Sequence, residues 1–478
     1  MLTFADYLVI LVYVIVLAII GWLASKKVKN AGDYISTNRG LGIIVMIGSL
    51  AGAAIGAGGT IGLAGDVYNK GVSGYWQIIG WNIGWFMLVL MAKRLWATGA
   101  SSVVDVFGQS CGETTRLIAS LACLVFSVPA LSTQLIGLGN MFETVFSLSG
   151  LDLDYKIFVT IATVIMVGAV FKGGLYSSAY SGTFNFFILA VVFVICFPLF
   201  TFMAADGVGQ SFENIRELPA DYKNLFAGVS VSATLLSIIK YCFTAGSNLA
   251  YVGNTLAPKD AATARNGSIG GIISYFIIPG IIMFCTLILI NVFPGLENPS
   301  GILTYSFMAI FPPVIRGLSV IALIAVVLST ATIWVQNSGK IFGSDIYANV
   351  KKGVSEDEVL KVCRIATIFW ACVSWVIAMF IPQVMMMFDI QTNLYGSSIF
   401  FPLVAVLFWK GVTKQGVLAG ISVGMVSSLF LTVTGISPID PVVICSFLNG
   451  ICLVVVSLLT KDRPDAALNP FKPVEEQS

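Results

Sequence analysis

Apolar stretches of bilayer length recur thirteen times along this chain, and no other feature limits its fold so tightly. A helix needs about 20 apolar residues to cross the hydrocarbon of a membrane. Such runs fall at 4–24, 41–65, 74–97, 117–146, 155–171, 180–204, 224–248, 268–293, 314–336, 363–381, 384–409, 416–434 and 440–459. The 478 residues are 57% hydrophobic and only 10% charged, whereas a soluble domain carries roughly a quarter charged residues. The expectation is an all-α polytopic membrane protein of about 13 transmembrane helices, seated in the lipid bilayer of a plasma or inner cell membrane.

Orientation follows from charge. Asp6 precedes the first run, no basic segment leads it, and Lys26, Lys27 and Lys29 follow it directly. That pattern predicts an uncleaved first helix with its N-terminus outside. Alternating from there, inside segments collect twenty Lys and Arg and outside loops five, namely Lys70, Lys156, Arg216, Lys223 and Arg316; Lys240 falls within a run. The bias obeys the positive-inside rule and predicts a cytoplasmic C-terminus. The longest hydrophilic pieces, 205–223 outside and 250–266 and 337–362 inside, are of loop length. An accessory catalytic or signalling domain therefore has no place, and the tail of 18 residues is expected to be too short for one.

Several classes drop out. The chain has no histidine, and its nine cysteines sit mostly inside apolar runs without metal-ligand spacing. No phosphate loop or nucleophile–base arrangement is present, so an enzyme is not expected. Scattered inside charges do not make a nucleic-acid surface, and no ring of charges suggests a channel. Lack of histidine also removes the usual proton relay, which leans any coupled transport toward a metal cation. Oligomeric state stays open.

The second run contains SLAGAAIGAGGTIGLAGDVY, Ser49–Tyr68, with six glycines. It reads either as a small-residue packing face or as a discontinuous helix whose freed carbonyls line a cavity. Five runs later, Thr244-Ala245-Gly246-Ser247-Asn248 interrupts the seventh run in the matching place. Two interruptions in corresponding positions favour the broken-helix reading. The ninth run holds Ser329-Thr330 deep in AVVLSTATIW. These hydroxyls either bond back to the preceding turn or, with the Val326 carbonyl, offer oxygens to a hard cation.

These stretches, together with GGLYSSAY (Gly173–Tyr180), NSGKIFGSDIY (Asn337–Tyr347) and LFWKGVTKQGVLAG (Leu407–Gly420), resemble the sodium:solute symporter family over nearly the whole chain. Within it they are most similar to the choline-transporter-like and pantothenate-like branches. The resemblance implies a LeuT-type core of two inverted five-helix repeats, with one extra N-terminal and two extra C-terminal helices. The divisions are then 1–40, 41–205, 206–410, 411–460 and the tail 461–478. It also implies one sodium site formed by the carbonyls of Gly52, Ile55 and Val326 and the hydroxyls of Ser329 and Thr330. A small polar organic solute is the implied cargo, with a carboxylate-bearing or zwitterionic one favoured.

Departures from the family pattern carry information. Ser181, Gly182 and Asn185 replace its Thr-Asp-x-x-Gln, and loss of that aspartate implies a single sodium. Asn254 stands where an arginine is usual near the inner gate. Ala54 and Asn248 replace the tryptophans that box choline, so a quaternary ammonium solute is not expected. The implied substrate positions are Ala54, Gly59, Gln77 and Asn248, with Tyr251 as a gate residue. Asp389, two turns from an outer helix end, is a further candidate or a solvated mouth residue. Lys240, some sixteen residues into its run and so roughly 24 Å deep, needs an anion. Asp389, Glu143 or the solute can supply it, and a pair within the protein is preferred. A sodium-independent permease or exchanger using Lys240 as its fixed cation, and a transporter-like sensor, are the competing readings.

Overall fold

A backbone immersed in lipid must satisfy its own hydrogen bonds. Among the described residues this chain does so with helices, apart from one isolated bridge between Leu41 and Pro258. The computed structural model describes residues 2–462 except 29–30, 37–38, 149, 151–152, 172–173, 228–229 and 438. Most of the expected cytoplasmic tail and Gly173 of the GGLYSSAY motif therefore lie outside the described residues.

The principal helices are α1 (Phe4–Ser25), α2 (Ile43–Ala54), α3 (Leu63–Lys70), α4 (Trp76–Ala97), α5 (Glu113–Ser147), α6 (Tyr155–Val170), α7 (Gly174–Ala190) and α8 (Val231–Ser247). They continue with α9 (Leu249–Leu256), α10 (Ala261–Val292), α11 (Ile315–Lys340), α12 (Glu356–Phe380), α13 (Val384–Phe408), α14 (Lys414–Thr434) and α15 (Pro441–Leu459). Ten helices among the described residues are long and apolar enough to cross a membrane by themselves. The predicted runs at 41–65, 155–171 and 224–248 hold the shorter α2, α6 and α8.

The helix built on α11 is the axis of the molecule: 94% of its most apolar window is buried, against 11% for α1 at the periphery. Around it, α2, α4, α8 and α10 pack on one another, while α5, α7 and α12 pack on α11 from other sides. The pair α14 and α15 leans on α13. Irregularities have local causes. After α7 the helix widens to a π turn over Val191–Cys196, just ahead of Pro198, whose ring nitrogen cannot donate.

Two predicted loops are corrected. The inside loop expected at 250–266 begins instead with the buried half-helix α9, because the break at Asn248 ends α8 and starts a new helix at once. The loop expected at 337–362 is helical to Val350, through a π turn at Ile341–Tyr347. Its charges look solvated in sequence but find partners on a distant segment: Lys340 donates to the Ser101 carbonyl, and Asp345 accepts from Ser102 Oγ at 3.4 Å. The start of span seven also moves. Helix α8 begins at Val231 after a Ser230 cap, which puts Lys240 only about 14 Å along it rather than the deeper position expected.

Asp6 ties the first helix to the axis. One of its oxygens accepts from Thr3 N at 2.7 Å and Thr3 Oγ1 at 2.8 Å; the other accepts from Val314 N at 2.8 Å and Gly317 N at 2.9 Å. The carboxylate thus caps α1 and α11 together, and Val314 holds φ at 72° to present its N–H. Asp6→Ala should cost about 2 kcal/mol, the loss of charged hydrogen bonds to capped N–H groups. A thermal-shift measurement checks it, and an unchanged Tm would show that the contact carries no stability.

Candidate ion and solute site

The α2 helix stops at Ile55, where φ is −78° and ψ 75°, so the Ile55 carbonyl leaves the helical direction. Beyond the break the chain re-forms as a π turn, Gly58–Gly62, with Gly62 N donating to the Ala57 carbonyl at 2.9 Å. The N–H groups exposed at such a restart need partners in a membrane interior. Gln134 of α5 supplies one, its Oε1 accepting from Ala57 N at 3.0 Å. The second break, at Asn248 (φ −57°, ψ 126°), is capped by its own side chain, which accepts from Ala250 N at 3.0 Å. Both predicted interruptions are present.

Facing the first break, Ser329 Oγ donates to the Gly52 carbonyl at 2.8 Å and to Val326 at 3.0 Å. Thr330 Oγ1 reaches the same two carbonyls at 3.1 and 3.3 Å. Simple back-bonding would reach Val326 alone; the shared Gly52 carbonyl on another helix is what distinguishes the pair. Gly52 permits the approach, since a Cβ there would stand 2.9 Å from the Gly182 carbonyl of α7. Four neutral oxygens converge, and Ile55 lies three residues beyond Gly52 at the end of α2. Among the described residues no three His, Cys, Asp or Glu side chains gather as a metal site. Neutral oxygens without carboxylate suit a monovalent hard cation better than a divalent one.

Alongside lies a cavity between the two breaks. Ala53, Ala54, Gly56, Gly58 and Gly59 form one wall, Asn248 and Tyr251 another, and Thr330 joins it to the oxygen cluster. Gln134 and Gln391 add amides; Trp81, Tyr275, Trp334 and Phe388 add rings. Trp81 sits centrally in that aromatic group, its centroid 5.8 Å from Tyr251, 6.4 Å from Tyr275 and 5.9 Å from Phe388. The cavity volume is ≈ 20 Å³, about what one water needs. Any organic solute must therefore displace rings to enter.

A model of the sodium:solute symporter family matches residues 34–424. The chain belongs to that family. It is 25% identical over 486 residues to the high-affinity proline transporter PutP of Bacillus subtilis (strain 168), covering 96% of this chain and 99% of the relative. It is 24% identical over 494 residues to the osmoregulated proline transporter OpuE of the same organism, covering 97% of each. Both relatives are named for proline rather than for the choline or pantothenate of the branches its motifs resemble. A Na+-coupled sialic acid symporter, solved substrate-bound and outward-open, shares its fold with a TM-score of 0.82 at 17% identity, over 97% of this chain and 99% of that one. MhsT in complex with L-phenylalanine is more distant, with a TM-score of 0.53 at 16% identity over 88% and 99%. This sodium:solute symporter family member is a membrane transporter and not an enzyme.

Of the substrate positions expected for this symporter family chain, Ala54, Gly59 and Asn248 line the cavity, as does Tyr251, the expected gate residue. Gln77 does not. It is buried one turn before Trp81 with its Nε2 unpartnered among the described residues. Lys240 and Asp389 also stand apart, joined at 2.7 Å, with Asp440 at 3.2 Å as a second carboxylate. The cluster links α8, α13 and the start of α15. Asp440 went unseen because it lies 200 residues from its partner, at the very start of the thirteenth apolar run. Trp81, Tyr275, Trp334 and Phe388 of the cavity were also missed, since a ring in an apolar run has no distinguishing pattern. Among the departures, Ser181 Oγ bonds back to the Ser177 carbonyl at 2.6 Å, Tyr13 donates to Asn185 at 3.1 Å, and Ser49 donates to Asn254 at 3.1 Å.

Two expectations follow. Ser329→Ala and Thr330→Ala should each raise the sodium concentration for half-maximal binding about tenfold, one lost oxygen ligand being worth roughly 1.4 kcal/mol, while Tm without sodium shifts little. Sodium titrations of intrinsic fluorescence check this, and unchanged affinity in both variants overturns it. Lys240→Met leaves two carboxylates facing each other, whereas Asp389→Asn leaves Lys240 with Asp440. Because the carboxylates are 46% and 35% exposed, the lysine variant should lose only about 1–2 kcal/mol. The aspartate variant should lose less, as thermal unfolding of the two will show.

Proposed function

We propose that this protein is a sodium-coupled secondary symporter that imports a small zwitterionic or carboxylate-bearing solute by alternating access. Proline is the first solute to test. The observation that carries the reading is the Gly52 carbonyl held 2.8 and 3.1 Å from the hydroxyls of Ser329 and Thr330 at a helix break. Sodium there, taken up as cargo, is coordinated by the carbonyls of Gly52, Ile55 and Val326 and by both hydroxyls. It holds α2 against α11 and so stabilises the state open to the outside. The solute binds beside it between the breaks, at Ala54, Gly59 and Asn248, with Tyr251 and the neighbouring rings closing over it. When sodium leaves toward a low-sodium interior, that hold is lost and the inner face opens.

The proposed architecture is thirteen crossings, with spans two to eleven forming the two inverted repeats and the N-terminus outside. One sodium per cycle is favoured because Gly182 offers no carboxylate and Ser181 is already bonded to its own helix. The two carboxylates on Lys240 support a structural role for it, joining the middle of α8 to the outer ends of α13 and α15. Two carboxylates neutralise it, which weakens the exchanger reading that needs it as a free cation.

Uptake of radiolabelled proline into proteoliposomes tests the proposal. An inward sodium gradient should drive accumulation above equilibrium, with a Hill coefficient for sodium near one, and an equal potassium gradient should not. Accumulation without sodium would establish the exchanger or permease instead. Sodium-driven uptake of other amino or carboxylic acids, but not of proline, would keep the mechanism and replace the solute.

A further inference from the structure

A groove of ≈ 580 Å³ runs between α4 and α10 on the outer surface of the helix bundle, far in character from the central cavity. Its α4 wall is Phe86, Val89, Leu90 and Lys93; its α10 wall is Arg265, Ile269, Ile272 and Ile273. The two sets have helical spacing, so each is one face of its helix. The helices run antiparallel here: Lys93 is near the C-terminal end of α4 and Arg265 is one turn into α10. Both cations therefore fall at the same end, and about 10 Å of apolar wall extends from them toward Phe86 and Ile273.

Those walls face outward, with Phe86, Leu90 and Ile273 more than half exposed. In a membrane-spanning bundle such a surface meets acyl chains. Neither Lys93 nor Arg265 has an ion pair or hydrogen bond among the described residues. Asp260, the acid that caps α10, is committed to Thr263 N at 2.6 Å, and Arg94 is turned to the Leu407 carbonyl at 2.7 Å. Two unneutralised cations beside one groove repel each other unless an anion lies between them. Near the start of α10 the helix dipole adds to that demand.

We propose that this groove is a binding site for an anionic phospholipid, with the phosphate between Lys93 and Arg265 and an acyl chain along the isoleucine and phenylalanine wall. The charge of the pair selects anionic over zwitterionic headgroups, and the apolar wall selects a lipid over a free anion. A lipid seated there bridges α4 to α10, two helices that also flank the central cavity through Trp81 and Tyr275. This inference does not depend on the transported solute or on sodium coupling.

The test uses the full-length protein in nanodiscs of equal phosphatidylglycerol and phosphatidylcholine, released and analysed by native mass spectrometry for retained lipid. The wild type should retain phosphatidylglycerol over phosphatidylcholine. The Lys93→Gln/Arg265→Gln double variant should reduce that preference about tenfold or more, as two lost cations near a lipid surface imply. The charge-preserving Lys93→Arg/Arg265→Lys variant should keep it, which also guards against a folding defect as the cause. Equal retention of phosphatidylglycerol by the wild type and the Gln variant overturns the site. So does displacement of the lipid by millimolar inorganic phosphate, which would reveal a plain anion site without a role for the acyl wall.

Discussion

The Gly52 carbonyl is the point on which the arrangement depends. In the middle of an unbroken helix it would accept from an N–H four residues on, and the chain's break at Ile55–Gly56 removes that partner. A carbonyl stranded in a membrane interior costs several kcal/mol. Here Ser329 and Thr330 satisfy it from across the helix interface. The discontinuity is thus tolerable only while α2 and α11 stay in register. The same logic governs the restart, where Gln134 of α5 takes the N–H of Ala57. Three helices are held together by hydrogen bonds that an intact helix would have kept to itself.

That dependence explains how the surroundings are packed. Gly52 and Gly56 cannot carry side chains without pressing on the Gly182 carbonyl or on Gln134 and Thr330. Around the break the space left by small residues is filled by rings from α4, α10 and α13, and a cavity of one water's size remains. Aromatic rings suit this place because their faces move by few torsions and cost little entropy to reorder. Closure by rings and anchorage by backbone oxygens are separate devices that share Thr330 as a common wall.

How much of this was legible in the sequence depends on whether a residue departs from its local background. Glycines and the Thr244–Asn248 patch stand out in apolar runs, and the two breaks lie where they were expected. Ser329-Thr330 stood out for the same reason. Trp81, Tyr275 and Phe388 did not, because in a membrane helix an aromatic residue facing a cavity looks like one facing lipid or a neighbour. Charged residues misled in the opposite direction. Lys340 and Asp345 read as an exposed loop, yet both are under 4% exposed, because their partners lie on segments distant in sequence. Asp440 was hidden likewise. Long-range polar pairing leaves no periodic trace, so composition can place a charge at a membrane boundary but cannot say whether it faces water.

A site proposed to take up and release an ion must also be stable without it. If the oxygens at Ser329, Thr330, Gly52 and Val326 had no partners but a cation, the empty state would carry several unsatisfied groups in a low-dielectric interior, and the ion would be held too tightly to leave. The hydroxyls resolve this, since each is both donor and acceptor. They donate to the two carbonyls at 2.8 to 3.3 Å; rotated, they would offer lone pairs to a cation. The free energy of binding in the proposed site would then be the difference between coordination and a set of hydrogen bonds already made, rather than the full cost of orphaned oxygens. A neutral, hydroxyl-based cluster therefore favours reversible exchange of a monovalent cation. A carboxylate at the same point would strengthen retention at the expense of turnover.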